Sequence, residues 1–122
     1  MKIAIPVDEK SMNTKVCPSF GRSPYFLFYD TTTKGKEFLD NGAASSEGGA
    51  GIKAAQFLVD HNVEALLTPR CGQNAAEVLA KAKIQLYKTL SDSIEENLEA
   101  FTQNKLPLLD DIHPGFHQGG GR

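Results

Sequence analysis

The chain has 122 residues, of which 40% are apolar and 23% charged, as in an ordinary folded domain. Its net charge of −2 at pH 7 argues against an overall positive surface that would attract nucleic acid or anionic membranes. The longest apolar runs fall short of the roughly 20 residues that cross a bilayer, and "MKIAIPVDEK" does not resemble a signal peptide. We therefore expect a cytoplasmic protein whose two cysteines are free thiols.

The first half of the chain predicts three strands and a helix. "KIAIPV" is a nearly continuous apolar run, which is typical of a strand buried on both faces, and a long loop follows it. "YFLFYDT" and "EFLDN" flank the turn "TTKGK" and predict a hairpin. A glycine-rich loop then leads into an amphipathic helix from about Gly51 to His61.

The second half predicts alternating strands and helices. "VEALLTP" and "KIQLYK" are strands, and "RCGQ" is a tight connection after the first of them. "NAAEVLAKA" is a helix for which Asn74 is the expected N-cap. "LSDSIEENLEAFTQN" is a third helix, in which Asp92 and Glu95 suit a capping box.

The resulting order, βββαβαβα, predicts an α/β fold with one mixed sheet and flanking helices. Strands that alternate with helices are parallel and joined by right-handed crossovers, whereas the hairpin adds an antiparallel strand. Ligands of such sheets bind beyond the carboxyl ends of the parallel strands. The loops that begin at Asp8, Pro69 and Thr89 should meet at that edge.

We expect a single domain over residues 1–109. Residues 110–122, "DDIHPGFHQGGGR", have no apolar periodicity and predict a flexible tail that contains glycine and histidine. His113 and His117 are suitable ligands for a transition metal, but a histidine-bearing tail is more often only a tail.

Two cysteines and two arginines are candidate ligands at the expected edge. Cys17 lies in the first loop and Cys71 follows the fourth strand, and thiolates are natural ligands of iron, copper or molybdenum clusters. Arg22 and Arg70 lie beside them, where guanidinium groups would clamp an anionic cluster, an oxyanion or a phosphate. The alternatives are two unrelated cysteines, because their separation matches no recognised metal motif, and two ordinary surface arginines.

Gly48, Gly49 and Gly51 stand at the start of the first helix and allow two interpretations. They either expose the N–H groups of the helix start to an anion or only permit a tight entry into the helix. "GAGIKA" formally fits a dinucleotide motif, but it does not directly follow a strand, and the next strand ends in Thr68 and Pro69 instead of an acidic residue. A cluster or small oxyanion is therefore the better-fitting anion.

Catalytic constellations are sparse in this sequence. A nuclease would need several carboxylates around metal ions, and Asp8 alone is expected at the ligand-binding edge. The spacing from Cys17 to Arg22 is one residue shorter than that of a phosphatase loop. We therefore expect a protein that is not an enzyme.

"KIAIPVDE", "VCPSFGRSPYFLFYD" and "GGAGIKAAQFLVDHNVEALLTPRCGQNAAEVL" together resemble the family of nitrogenase iron–molybdenum cofactor carrier and assembly proteins, over nearly the whole chain before the tail. The resemblance implies a ribonuclease H-like α/β fold and a small protein that binds or carries a metal–sulfur cluster. That cluster would contain iron and sulfur, iron and molybdenum, or copper. Implied partners are proteins that donate and accept the cofactor, and neither nucleic acid nor a membrane is expected as a partner.

The chain departs from this family at its histidines. Members that carry the nitrogenase cofactor typically have histidine before "FG" and ahead of the glycine loop, where this chain has Ser19 and Ser45–Ser46. Serine is a poor ligand for a soft metal–sulfide cluster. A second hypothesis is therefore a small interaction or regulatory module that kept the fold and lost the ligand.

The candidate cofactor site comprises eight residues, with both cysteines as metal ligands: Cys17, Ser19, Arg22, Gly48, Gly49, Gly51, Arg70 and Cys71.

Overall fold

The helices and strands follow the predicted order, with two short strands added. The computed structural model describes residues 1–110 and 112–113. Its strands are β1 (Lys2–Val7), β2 (Tyr25–Asp30), β3 (Lys36–Asp40), β4 (Ala65–Thr68), β5 (Cys71–Gly72), β6 (Gln85–Lys88) and β7 (Ile112–His113). Its helices are α1 (Ala50–Asp60), α2 (Gln73–Lys81) and α3 (Ile94–Thr102), and a 3₁₀ turn spans Gly42–Ser45. In this described part of the chain, no helix is both long and apolar enough to cross a membrane.

Five strands form one mixed sheet in the order β3-β2-β1-β4-β6, which confirms the predicted α/β class. β2 is antiparallel to both β1 and β3, as the predicted hairpin requires. β4 is parallel to β1 and to β6. The carboxyl ends of β1, β4 and β6 therefore lie at one edge of the sheet.

The two faces of the sheet bury separate apolar clusters. Ala4 of β1 packs with buried residues of α1 and α2 on one face, whereas Ile3 and Ile5 pack with α3 on the other. Successive side chains of a strand point to opposite faces, so a strand covered on both sides must be apolar at every position. The continuous apolar run of β1 follows from this arrangement.

Both predicted helix caps are displaced from their expected residues. The N-cap of α2 is Gly72, and Asn74 lies within the first turn, because the helix starts directly after β5. The N-cap of α3 is Ser93, whose hydroxyl accepts a hydrogen bond from the N–H of Glu96 at 3.1 Å. The expected Asp92 and Glu95 are therefore each one residue too early.

Buried Asn97 explains where α3 starts. Its side-chain oxygen accepts a hydrogen bond from the N–H of Leu90, and its amide nitrogen donates to the carbonyls of Ser91 and Ser93. These three bonds fold the approaching chain back onto the first turn of α3. A capping pattern read from local sequence does not include this contact.

The chain after α3 remains attached to the sheet beyond the last helix. Leu106 is buried, the carbonyl of Pro107 accepts a hydrogen bond from Lys88, and the N–H of Leu109 donates to Leu86. Within the predicted tail, Ile112–His113 forms β7 and pairs with β5. Residues 111 and 114–122 of that tail, which include His117, lie outside the described residues.

Two truncated chains should show that residues 106–109 stabilise the fold more than the residues after Leu109 do. A chain that ends after Leu109 keeps the contacts to β6, so we expect its melting temperature within about 3 °C of that of the 122-residue chain. A chain that ends after Lys105 loses the buried Leu106, which costs about 2–5 kcal/mol. Its melting temperature should fall by more than about 5 °C. Thermal unfolding followed by circular dichroism measures both, and an equal, large loss in the two chains would contradict the expectation.

Candidate functional site

A cavity of about 670 Å³ lies between the first loop and the starts of α1 and α2. Its wall consists of residues 18–22, 47–52 and 70–75. This volume falls within the range of sites that bind small molecules and cofactors. Seven of the eight predicted site residues line the cavity: Ser19, Arg22, Gly48, Gly49, Gly51, Arg70 and Cys71. That these residues contact a ligand stays a prediction.

Cys17 is the predicted site residue that lies outside the lining formed by the described residues. Val16 bridges to Val7, and the N–H of Cys17 donates to the carbonyl of Pro6 at 2.8 Å, so this part of the loop is held against the end of β1. Burial and the neighbouring Asp8 raise the pKa of the Cys17 thiol. Backbone pairing with β1 therefore keeps Cys17 out of this lining, and ligation of one cluster by both cysteines stays a prediction.

Cys71 borders the cavity but is held as a neutral thiol. Its residue is 1% exposed, and its thiol donates a weak hydrogen bond to the carbonyl of Gly72. Burial raises the pKa of the Cys71 thiol to about 12. The thiolate, which is the form that binds metals, is therefore scarce at neutral pH.

The side chains around the cavity do not form a chelating site for a bare metal ion. Among residues 1–110 and 112–113, no group of three or more histidine, cysteine, aspartate or glutamate residues is placed to hold a metal. Glu47 is the acidic residue of the described lining, and it is exposed. A ligand in this cavity would therefore meet mainly other groups.

Two helix N-termini supply these groups. The N-caps of α1 and α2 are Gly49 and Gly72, and across the described residues neither helix start has a side-chain cap or an acidic residue in its first turn. The starts of both helices line the cavity. N–H groups of a first helical turn have no intrahelical acceptor and carry the positive end of the helix dipole. α3, by contrast, is capped by Ser93 and has Glu95 and Glu96 in its first turn.

The two arginines of the wall differ in their contacts. Nη1 of Arg22 donates to the carbonyl oxygens of Ala44 and Ser46, at 2.9 Å each. This side chain therefore ties the first loop to the segment before the glycine loop, a role that the sequence did not reveal. Within the described chain, the exposed guanidinium of Arg70 has no hydrogen-bond or ion-pair partner, so it is free to contact an anion.

Glycines bring the three parts of the wall into contact. A Cβ at Gly21 would lie 2.9 Å from the Cα and N atoms of Gly51, a distance that real side chains do not adopt. A Cβ at Gly51 would in turn lie 3.4 Å from the Cβ of Ala75 in α2. Gly21 was not among the predicted site residues, although it belongs to the "FGR" segment that carried the family resemblance.

The three glycines of the glycine loop differ in what their positions require. Gly49 has a φ of 69°, which favours glycine, and Gly51 serves the packing of α1 on its neighbours. At Gly48, by contrast, a Cβ would have no atom of the described residues within 4 Å. Gly49 is needed for its backbone conformation, whereas a Cβ at Gly51 would make an ordinary contact with Ala75. The first turn of α1 lines the cavity.

Alanine substitutions should separate these roles. Gly21→Ala places a Cβ against rigid backbone, so we expect it to lower the free energy of unfolding by about 1–3 kcal/mol. Gly48→Ala is the matched control, and its effect should stay within about 0.5 kcal/mol. Urea unfolding measures both values. Equal stability of the two variants would show that Gly21 and Gly51 are not in close contact.

The buried thiol predicts a loss of stability at high pH. The pKa of Cys71 is raised in the folded state, so the folded chain retains a proton that the unfolded chain releases. This contribution is complete below the ordinary thiol pKa and is lost as pH rises towards about 12. Over this range it lowers the free energy of unfolding by up to about 1.4 kcal/mol per pH unit.

Urea unfolding at several pH values checks this expectation. Because Cys71→Ala removes the titrating group, the stability of this variant should depend less steeply on pH above 9 than that of the parent. Identical pH dependence of parent and variant would contradict a raised pKa of the Cys71 thiol.

Comparisons with known proteins identify a family and a relative that matches nearly the whole chain. The family model described as dinitrogenase iron-molybdenum cofactor matches residues 1–104. An uncharacterized protein of Methanocaldococcus jannaschii is 31% identical over 113 residues, which cover 90% of this chain and 92% of that protein.

Solved structures show the same fold. The apo form of the orange protein from Desulfovibrio gigas has a TM-score of 0.84 at 29% identity, covering 90% of this chain and 93% of that one. A putative NifB protein from Thermotoga has a TM-score of 0.77 at 33% identity, covering 88% and 92%. The chain belongs to the dinitrogenase iron–molybdenum cofactor family.

Proposed function

We propose that this chain binds an anionic metal–sulfur cluster, or a related metal cofactor, in the cavity between the first loop and the starts of α1 and α2. The observation that carries the proposal is the convergence of two uncapped helix N-termini on one cavity. Helix starts that lack acidic residues and side-chain caps attract anions through their free N–H groups. Membership in the dinitrogenase iron–molybdenum cofactor family supports a metal cofactor as the anion.

The donor groups of the wall favour a preassembled cluster over a bare metal ion. Cys71 is a thiol at neutral pH, and the described lining offers no second soft ligand beside it. Free N–H groups and the guanidinium of Arg70 instead complement the sulfide or oxide surface of an anion that already contains its metal. An iron–sulfur, an iron–molybdenum or a copper-containing cluster satisfies this requirement.

We further propose a carrier and not an enzyme. The thiol in the wall, Cys71, is held protonated, and the carboxylate of the described lining is the exposed Glu47. A nucleophile of this kind would need an adjacent base to activate it. Binding through backbone N–H groups, by contrast, leaves a cluster able to dissociate to an acceptor. The partners of such a carrier are proteins that donate and accept the cofactor in the cytoplasm.

A second candidate is a module that kept the fold and lost the ligand. The observation that favours it is serine at 19 and at 45–46, where cofactor carriers of the family typically have histidine. Under this hypothesis the cavity remains as a consequence of the glycine contacts, and the surface around it serves protein–protein interaction alone.

Anaerobic uptake of a molybdenum–sulfide anion distinguishes the two functions. The purified chain is incubated with tetrathiomolybdate, desalted, and analysed for bound molybdenum and for charge-transfer absorption. We expect retention near one anion per chain, and Arg70→Gln should weaken binding about tenfold or more, because a charge-assisted hydrogen bond contributes about 1.5–3 kcal/mol. The matched control is Lys105→Gln, which removes an exposed cation that does not line the cavity and should bind like the parent.

Cysteine variants provide an independent check on the mode of binding. Cys17→Ser should retain parent-like uptake because Cys17 lies outside the described lining, whereas ligation by two thiolates would make the same variant fail. Absence of molybdenum from the parent protein after incubation, and from protein reconstituted with iron and sulfide, would refute the proposed binding and favour the interaction module.

A further inference from the structure

The chain after α3 runs from the edge of the sheet to the wall of the cavity. Up to Leu109 it is fixed to β6, through the hydrogen bonds from Lys88 N to Pro107 O and from Leu109 N to Leu86 O, both 2.9 Å. Tyr87 and Leu108 add an antiparallel bridge to this contact. Residues 107–109 are therefore held against β6 where the chain leaves the sheet.

Shortly after Leu109 the same segment forms β7 beside β5. Cys71 opposes Ile112 and Gly72 opposes His113, in parallel register. Cys71 and Gly72 also line the cavity, and Gly72 is the N-cap of α2. The C-terminal segment is thus paired with the strand that leads into one of the two anion-attracting helix starts.

The pairing of β7 with β5 is weak compared with the main sheet. It consists of two residue pairs, whereas β1 and β2 share six. Isolated two-stranded ladders are only marginally stable in water. Ile112 is 36% exposed, so burial in the apolar core adds little. β5 and β7 form a sheet separate from the five-stranded one, so loss of their pairing would leave the ladders of the main sheet in place.

The residue before β5 has its own contact with the main sheet. The hydroxyl of Thr68, at the end of β4, donates a hydrogen bond to the carbonyl of Arg70 at 3.1 Å. This bond holds the residue before β5 to the main sheet, but it does not reach Gly72. Gly72 is thus contacted by β7 on one side and by α2 on the other, whereas Cys71 is also held by its burial in the apolar cluster.

We propose that β7 is a detachable strap on the cavity wall. When attached, it orders Gly72 and the first N–H groups of α2, and when detached, it allows this part of the wall to move. Because Gly72 is the N-cap of α2, a displacement of β5 also displaces the helix start that faces the cavity. The strap concerns the wall itself and does not depend on the identity of the ligand.

Hydrogen exchange measured by mass spectrometry on the 122-residue chain tests the strap. The double variant Ile112→Gly, His113→Gly keeps the chain length but lowers the strand propensity of β7. We expect the amides of residues 70–73 to exchange at least about tenfold faster than in the parent, with unchanged exchange in β1. The matched control is Lys34→Gly with Asn62→Gly, which introduces the same number of glycines at two positive-φ positions far from β7 in the sequence and should exchange like the parent at residues 70–73.

Thermal unfolding of each variant accompanies the exchange measurement. Under the proposal, the melting temperatures of both double variants stay within about 3 °C of that of the parent. Three results would overturn it: parent-like exchange at residues 70–73 in the β7 variant, equal acceleration in the control variant, or acceleration that extends to β1. The last result would mean that β7 stabilises the whole fold instead of one wall.

Discussion

Backbone N–H groups at the start of a helix need an acceptor, and α1 and α2 present theirs to one cavity without capping side chains of their own. The local charge of the site follows from this arrangement, because two helix dipoles add their positive ends at the same place. Acidic first turns would cancel the effect, as Glu95 and Glu96 do in α3. The described lining combines these two helix starts with Arg22, Arg70 and one acidic residue, Glu47, although the chain as a whole carries a net charge of −2.

Close backbone contacts keep the two helix starts together. Gly21 lies against the backbone of Gly51, so a side chain at Gly21 would separate the first loop from α1, and Gly51 in turn lies near Ala75 of α2. Arg22 adds two hydrogen bonds that fix the segment before the glycine loop. The apolar cluster on one face of the sheet then holds both helices at this spacing, since it contains buried residues of α1 and of α2. Stability and site shape thus depend on the same contacts.

Burial limits the ability of the two cysteines to act as metal ligands. Cysteine is a natural ligand for metal–sulfur clusters, yet burial raises the pKa of Cys71, and Cys17 is held against the end of β1. A cluster in this cavity would therefore be recognised mainly by N–H groups and by the guanidinium of Arg70. Recognition of this kind depends on the charge and shape of the anion and requires no exchange of its metal ligands.

The α/β class, the mixed sheet and the family could all be predicted from the sequence. Apolar periodicity is a local property, and it located the helices and the longer strands. The hairpin and the alternation of strands with helices then determined which strands are parallel. Seven of the eight predicted residues share a cavity because loops at the carboxyl ends of parallel strands converge.

Contacts between distant residues could not be predicted in the same way. The position of Cys17, the hydrogen bonds of Arg22 and the contact of Gly21 with Gly51 each depend on how separate segments pack. β5 and β7 have two residues each, too few to produce a periodic pattern, so Cys71 and Ile112 could be paired only in three dimensions. The sequence by itself determined the elements and their order, because periodicity and turn chemistry act over a few residues. The tertiary structure alone decided which groups face the cavity, because that depends on long-range packing.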